Sequence, residues 1–132
     1  FQGLSGAAVK PVALRTVAQI AKAVNIPVSG IGGIYNWRDA VEFILAGASS
    51  LQVCSAVMHH GYRIINDLTA GLLNYMEEMG FETINDFCGK ALPHIFRHND
   101  LSRAYKLYSQ ADPEKTSVTA AACAHKFARW AA

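Results

Sequence analysis

The chain has 132 residues, 52% of them hydrophobic and 17% charged, with a formal net charge of +2. That suffices for one domain with a real core and is too apolar for a disordered chain. No apolar run reaches the roughly 18 residues that span a bilayer and no signal-peptide order opens the chain, so a cytoplasmic location and no membrane partner are expected.

Charge argues against a nucleic-acid surface. Acidic and basic residues balance up to Lys115, and the excess comes from Lys126 and Arg129 near the end. A clustered basic stripe, the usual mark of such a surface, is missing.

The first residues, F-Q-G-L-S-G-A-A, are small and glycine-rich, and Gly3 and Gly6 permit backbone conformations that other residues avoid. Lys10-Pro11 marks a boundary, because proline suits the first helical turn and biases its predecessor away from helix. From Pro11 to Val24, Leu14, Val17, Ala21 and Val24 recur at three- and four-residue steps, which predicts an amphipathic helix. Asn25 can end it. Ile26 to Ile31 reads as a short apolar strand with Pro27 near its start, and Gly32-Gly33 break it.

Asn36 is the expected N-cap of a helix from Trp37 to Ala46, with Asp39 in its first turn and Gly47 as its C-cap. Val41, Ile44 and Leu45 form its expected buried stripe. Ser50 to Cys54 makes the next strand. Strand, helix and strand with short connections favour a parallel sheet covered by helices.

After Ser55-Ala56 a short helix is expected to end near Gly61. A longer one follows from Arg63 to Met79, with Ile65, Leu68, Leu72, Met76 and Met79 on its buried side and Gly80 closing it. Thr83 caps a further helical start that runs towards Gly89, with Asp86 as the reciprocal partner. His94 to Gln110 has helical spacing at Leu101, Tyr105 and Tyr108, and Asp112-Pro113 is a turn signal. The last stretch is alanine-rich and lacks acids after Glu114.

A whole (β/α)8 barrel takes around 250 residues. The expected fold is therefore α/β, the C-terminal portion of a (β/α)8 TIM barrel comprising its last strands and helices, with a helical C-terminal extension. The expected division is residues 1–91 as the C-terminal part of the barrel, 92–115 as the helical extension and 116–132 as a divergent, alanine-rich tail.

Phosphate binding needs hydrogen-bond donors and little bulk. Gly32 and Gly33 let backbone N–H groups approach an anion. The second strand runs into Cys54-Ser55, where amides and a hydroxyl open the short helix. Neighbouring C-terminal strand ends are the active-site face of such barrels. Two readings of Gly32-Gly33 stand at this point, a phosphate cradle and a plain tight turn.

Metal chemistry is not expected. His59 and His60 are adjacent and point apart on a helix, and no third ligand lies near them in sequence. Cys54, Cys88 and Cys123 are widely spaced without C-x-x-C, which gives neither a zinc ribbon nor a disulfide framework. Glu77-Glu78 reads as a solvated helix end, and Arg97-His98 and Arg103-Lys106 read as surface charge. Tyr35 and Trp37 either border the phosphate site or cover the rim.

The runs G-L-S-G-A-A-V-K-P-V-A-L-R, P-V-S-G-I-G-G-I and A-G-A-S-S-L-Q-V-C-S-A-V-M together resemble the FMN domain of the dihydropyrimidine dehydrogenase family. That family belongs with the dihydroorotate dehydrogenase-like FMN barrels. The resemblance continues through N-D-F-C-G-K-A to A-D-P-E-K, about residues 3–115. It implies FMN as cofactor, with Gly6 at the flavin, Ile31, Gly32 and Gly33 at its phosphate, and Cys54 and Ser55 completing that site. The family reduces uracil and thymine to their 5,6-dihydro forms. Electrons pass from NAD(P) through FAD and iron–sulfur clusters to FMN in the full family enzyme.

Two departures limit what this chain inherits. The family's catalytic cysteine, pyrimidine-binding asparagines and flavin-ring contacts lie upstream of Phe1, so no catalytic residue is expected here and the isolated chain is expected to be inactive. The pyrimidine substrate would bind only with that upstream part. After D-P-E-K, bacterial-type relatives carry a cysteine-rich cluster module, whereas this chain reads T-S-V-T-A-A-A-C. Two other functions compete: an assembly module that needs another polypeptide or oligomerises, and a dihydroorotate dehydrogenase-type FMN enzyme.

Overall fold

The structure is a computed structural model and describes residues 3–95. A 3-10 turn at Ala7–Val9 leads directly into helix α1, Lys10–Ala23, with Pro11 in its first turn. Strand β1, Val28–Ile31, is followed by helix α2, Trp37–Leu45, and strand β2, Ala48–Gln52. Helix α3, Ser55–His60, and helix α4, Arg63–Met79, come next, then 3-10 turns at Ile84–Asp86 and Leu92–His94.

The expected portion of a (β/α)8 TIM barrel is not what forms. The described residues are mostly helical, and their sheet has only two strands and stays open. Closing a barrel demands about eight strands with consistent tilt and shear, and β1 and β2 leave both outer edges free of partners among the described residues. The α/β alternation itself is present, with β1 and β2 parallel and α2 crossing between them. Most of the expected 92–115 extension and all of the 116–132 tail lie outside the described residues, as does the helical spacing at Leu101, Tyr105 and Tyr108.

Register explains why β2 begins earlier than its apolar residues suggest. Val28 pairs with Ala48 and Ser29 with Ser50, so Ser49 is an extra residue at the strand's start. The Val28 N–H donates to the Ser49 hydroxyl at 3.1 Å, and that hydroxyl donates back to the Val28 carbonyl at 3.2 Å. One side chain thus replaces the ladder bonds lost at the irregularity.

The core lies where α1 and α2 cover the sheet and α4 packs on α2. Ala40, Val41, Phe43 and Ile44 are buried on α2, so more of this helix is enclosed than the expected stripe of Val41, Ile44 and Leu45. Phe43 is fully buried against Gly30: a Cβ at position 30 would stand 2.8 Å from the ring. A glycine inside β1 is the condition for this close approach of helix to sheet.

Helix α4 spans the expected residues but is rotated from the expected face. Ile64, Leu68 and Gly71 are buried, while Ile65 is 45% and Met79 53% exposed. The cause is Gly71, which lies against the Trp37 ring. The helix past Thr83 is also shorter than expected, a single 3-10 turn fixed by a reciprocal Thr83–Asp86 cap. Beyond it, Phe87 is fully buried, stacked on Phe81 at 5.2 Å and set edge-on to Tyr75 at 5.6 Å. The Gly89 and Ala91 N–H groups then donate to the Ile44 and Leu45 carbonyls and close the end of α2.

Candidate functional site

All six residues expected at the phosphate site line one hollow of about 250 Å³: Gly6, Ile31, Gly32, Gly33, Cys54 and Ser55. Three separate segments deliver them. Gly6 comes from the loop ahead of α1. Ile31 ends β1 and Gly32 and Gly33 follow it, and Cys54 and Ser55 join β2 to α3.

The glycines are required by more than the turn. Gly32 has φ +117° and Gly33 φ +79°, a region that side chains disfavour. A Cβ on Gly32 would meet the Ala13 Cβ at 2.9 Å, and one on Gly33 would meet the Lys10 backbone nitrogen at 2.9 Å and the Gly6 carbonyl at 3.0 Å. The turn is therefore wedged beneath the start of α1. Gly6, at φ +84°, sits beside the Tyr35 hydroxyl, which a Cβ there would touch at 3.4 Å. The plain-turn reading accounts for the packing, but it does not account for the hollow that the three segments share.

The lining is neutral. It contains no Asp, Glu, Lys or Arg, and its polar side chains are those of Ser5, Tyr35, Gln52, Cys54 and Ser55. Among the described residues, the N–H groups of Gly33, Ser55 and Ala56 donate to no protein oxygen. The hollow thus offers amides and hydroxyls with no opposing carboxylate, a donor set that fits a phosphate group. Its volume is below the roughly 300–1,000 Å³ of sites that enclose a whole small ligand. It suits the phosphate end of a flavin mononucleotide and is too small for the ring as well.

Sequence reasoning passed over Ser5, Gln52 and Ala56 in this lining. Gln52 was legible in retrospect. It alternates with Ser50 along β2, pairs with Ile31, and donates to the Ser29 hydroxyl at 3.0 Å across the exposed face of the sheet. Tyr35 borders the hollow, as one of its two sequence readings had it, whereas Trp37 turns away to pack on α4.

A charged cluster braces the loop behind the hollow. The Lys10 ammonium donates to Asp39 at 2.6 Å and lies 3.1 Å from Glu42. The other oxygen of Asp39 accepts the N–H groups of Tyr35 at 2.9 Å and Asn36 at 3.0 Å. The Asn36 side chain in turn accepts from the Arg38 and Asp39 amides, which completes a capping box on α2. Burial pushes the Asp39 carboxyl up, but the Lys10 hydrogen bond, the two amides and the Lys10 charge outweigh it and hold it below its ordinary value. The hydrogen bond to Asp39 raises Lys10, against the pull of burial, with Glu42 adding to the rise.

A second hollow of about 330 Å³ opens between Asn36, Trp37, His60, Arg63 and Asp67, and it shares Tyr35 with the first. No group of three or more His, Cys, Asp or Glu residues suited to a metal ion occurs among the described residues. None of their helices is long and apolar enough to cross a membrane.

Comparison with known proteins places this geometry in a family. The dihydroorotate dehydrogenase family model matches residues 1–76, which contain every residue of the first hollow. The NAD-dependent dihydropyrimidine dehydrogenase subunit PreA of Escherichia coli is 42% identical over 118 residues, 87% of this chain and 29% of that protein. The catalytic subunit of dihydroorotate dehydrogenase B (NAD(+)) from Pyrococcus horikoshii is 51% identical over 90 residues, 68% of this chain and 30% of that protein. Its counterpart in Bacteroides thetaiotaomicron is 53% identical over 87 residues, 66% of this chain and 28% of that protein. The chain therefore spans less than a third of the length of these relatives. The matched family is FMN-binding, in keeping with FMN as the cofactor. This chain, with its two-stranded unit and its neutral, glycine-lined hollow, belongs to the dihydroorotate dehydrogenase family.

Proposed function

We propose that the chain is the FMN-phosphate-holding part of a flavoprotein oxidoreductase that reduces uracil and thymine to 5,6-dihydropyrimidines, and that it does not turn over substrate alone. The observation that carries this reading is the convergence of Gly6, Ile31, Gly32, Gly33, Cys54 and Ser55 on one hollow without a carboxylate. The phosphate would be held by the Gly32 and Gly33 amides from one side and by the Ser55 amide and hydroxyl from the other. FMN, when bound, supplies two-electron reduction of the pyrimidine double bond. This chain's residues bind and orient the cofactor's tail, and the hollow leaves the ring to other parts of the protein.

The choice of pyrimidine reduction rests on the reach of the similarity. The match to the dihydropyrimidine dehydrogenase subunit runs over 118 residues, whereas those to dihydroorotate dehydrogenase B stop near 90. A second reading, a dihydroorotate-oxidising enzyme, is favoured by the higher identity of that shorter match, 51% against 42%. Both readings use the same phosphate site. The full-length polypeptide that carries this segment, assayed separately with uracil and with dihydroorotate, distinguishes them.

The cofactor role is tested on the chain itself by titrating it with FMN and following flavin fluorescence. Saturable quenching is expected, weakened about fivefold by Ser55→Ala through loss of one hydroxyl donor worth about 1 kcal/mol. Absence of any saturable change at millimolar flavin would overturn the reading.

A further inference from the structure

We infer that Lys10 is a positioning residue for the phosphate hollow: it fixes the gap between the Gly6 loop and the Gly32–Gly33 turn without touching the ligand. This rests on the assignment of the hollow to a phosphate group.

Lys10 is absent from the lining, although its neighbour Val9 is part of it. Its ammonium is taken up by Asp39 at 2.6 Å and Glu42 at 3.1 Å, so its charge is already matched by two carboxylates. What Lys10 supplies is a tie. At its backbone it stands against Gly33, where a Cβ would come within 2.8 Å of the Lys10 Cβ. One residue earlier, the Val9 N–H donates to the Gly6 carbonyl at 3.2 Å and fixes the first wall of the hollow to the start of α1. At its far end, Lys10 grips Asp39, whose second oxygen holds the Tyr35 and Asn36 amides at 2.9 and 3.0 Å. Those amides end the loop that begins at Gly32. A single side chain thus links the Gly6 wall, the glycine turn and the first turn of α2.

Asp39 is only 5% exposed, so the ion pair is shielded from solvent at its acidic end and keeps a definite geometry. Removing the ammonium leaves Asp39 bonded to two amides but frees the Tyr35–Asn36 loop from α1. The width of the hollow then ceases to be fixed. Amide donors stabilise an anion only at hydrogen-bonding distance, so the consequence is a loss of phosphate affinity out of proportion to any loss of fold.

The test compares Lys10→Met and Lys10→Arg with the unaltered 132-residue chain. Lys10→Met is expected to raise the FMN dissociation constant about tenfold and to speed hydrogen exchange at the Tyr35 and Asn36 amides about tenfold, with the Phe43 and Ile44 amides unchanged. Lys10→Arg keeps the charge and reach and is expected to restore both. Unchanged affinity and exchange in Lys10→Met would overturn the inference, as would acceleration spread evenly through α2. Lys10→Gln substitutes if Lys10→Met does not fold, and failure of both to fold also overturns it, since a residue confined to positioning leaves the core intact. If the unaltered chain binds no FMN, the phosphate assignment falls while the exchange measurement still decides whether Lys10 braces the loop.

Discussion

Replacing Gly33 by alanine separates two effects that the glycine turn combines. The first is backbone strain: at φ +79° an alanine is disfavoured, at a cost of about 1–3 kcal/mol. The second is space. The new Cβ would stand 2.8 Å from the Lys10 Cβ, 2.9 Å from its backbone nitrogen and 3.0 Å from the Gly6 carbonyl. Two of those three atoms are backbone and cannot rotate away, so α1 or the turn must shift, which adds about 1–3 kcal/mol. Gly80 provides the control. It also has positive φ, +70°, but a Cβ there meets nothing within 4 Å, so Gly80→Ala carries strain alone, about 1 kcal/mol. Gly33→Ala should therefore cost about 3 kcal/mol, a large share of the roughly 5–15 kcal/mol that holds a domain. Urea unfolding followed by circular dichroism measures both. With a slope of about 1 kcal/mol/M, the midpoint should fall by about 3 M for Gly33→Ala and about 1 M for Gly80→Ala. Equal shifts in the two variants would refute the claim that α1 is wedged against the turn.

Other consequences follow from the brace behind the hollow. Asn36→Ala removes the side chain that accepts the Arg38 and Asp39 amides, and should cost about 1 kcal/mol by the same unfolding measurement; a loss below about 0.5 kcal/mol tells against the capping box. Asp39 is held below its ordinary value of 3.8, so its contribution is complete above that pH and is lost as pH falls through the lower folded value. Lys10 is raised above 10.5, so its share is complete below that pH and is lost as pH rises through the higher folded value. The stability gap between the unaltered chain and Asp39→Asn should then be flat at neutral pH and narrow below 3.8. A gap that persists unchanged in acid would show that the carboxylate's charge is not what the loop uses.

How much of this was legible in the sequence depended on whether the deciding interaction was local. Helix α4 was readable to the residue because its 17 residues carry a continuous three- and four-residue beat and end at Gly80. Its buried face was misjudged because periodicity counts apolar residues, and the contact is made at Gly71, which has no side chain to count. The start of β2 was missed by two residues because Ala48 and Ser49, next to Gly47, look like loop, and only pairing with β1 makes them strand. The barrel expectation failed for a related reason: helix–strand alternation is a local pattern, whereas closure depends on strands that the described residues do not contain. The site residues came from a resemblance across three segments, and folding brings those segments to one hollow. The Lys10–Asp39 link joins residues 29 apart and has no signature in the spacing of either.

The glycine of α4 that presses on Trp37 also gives the molecule an optical handle. The indole lies between the α4 backbone at Gly71, the Tyr75 ring at 6.4 Å and the Arg38 guanidinium 4.8 Å above its face. Any loosening of α2 from α4 exchanges that contact for water, and indole emission reports such a change directly. With Trp130 replaced by phenylalanine, Trp37 is the sole tryptophan. The emission spectrum of such a chain would then follow the docking of α2 on α4, without a label and at micromolar protein.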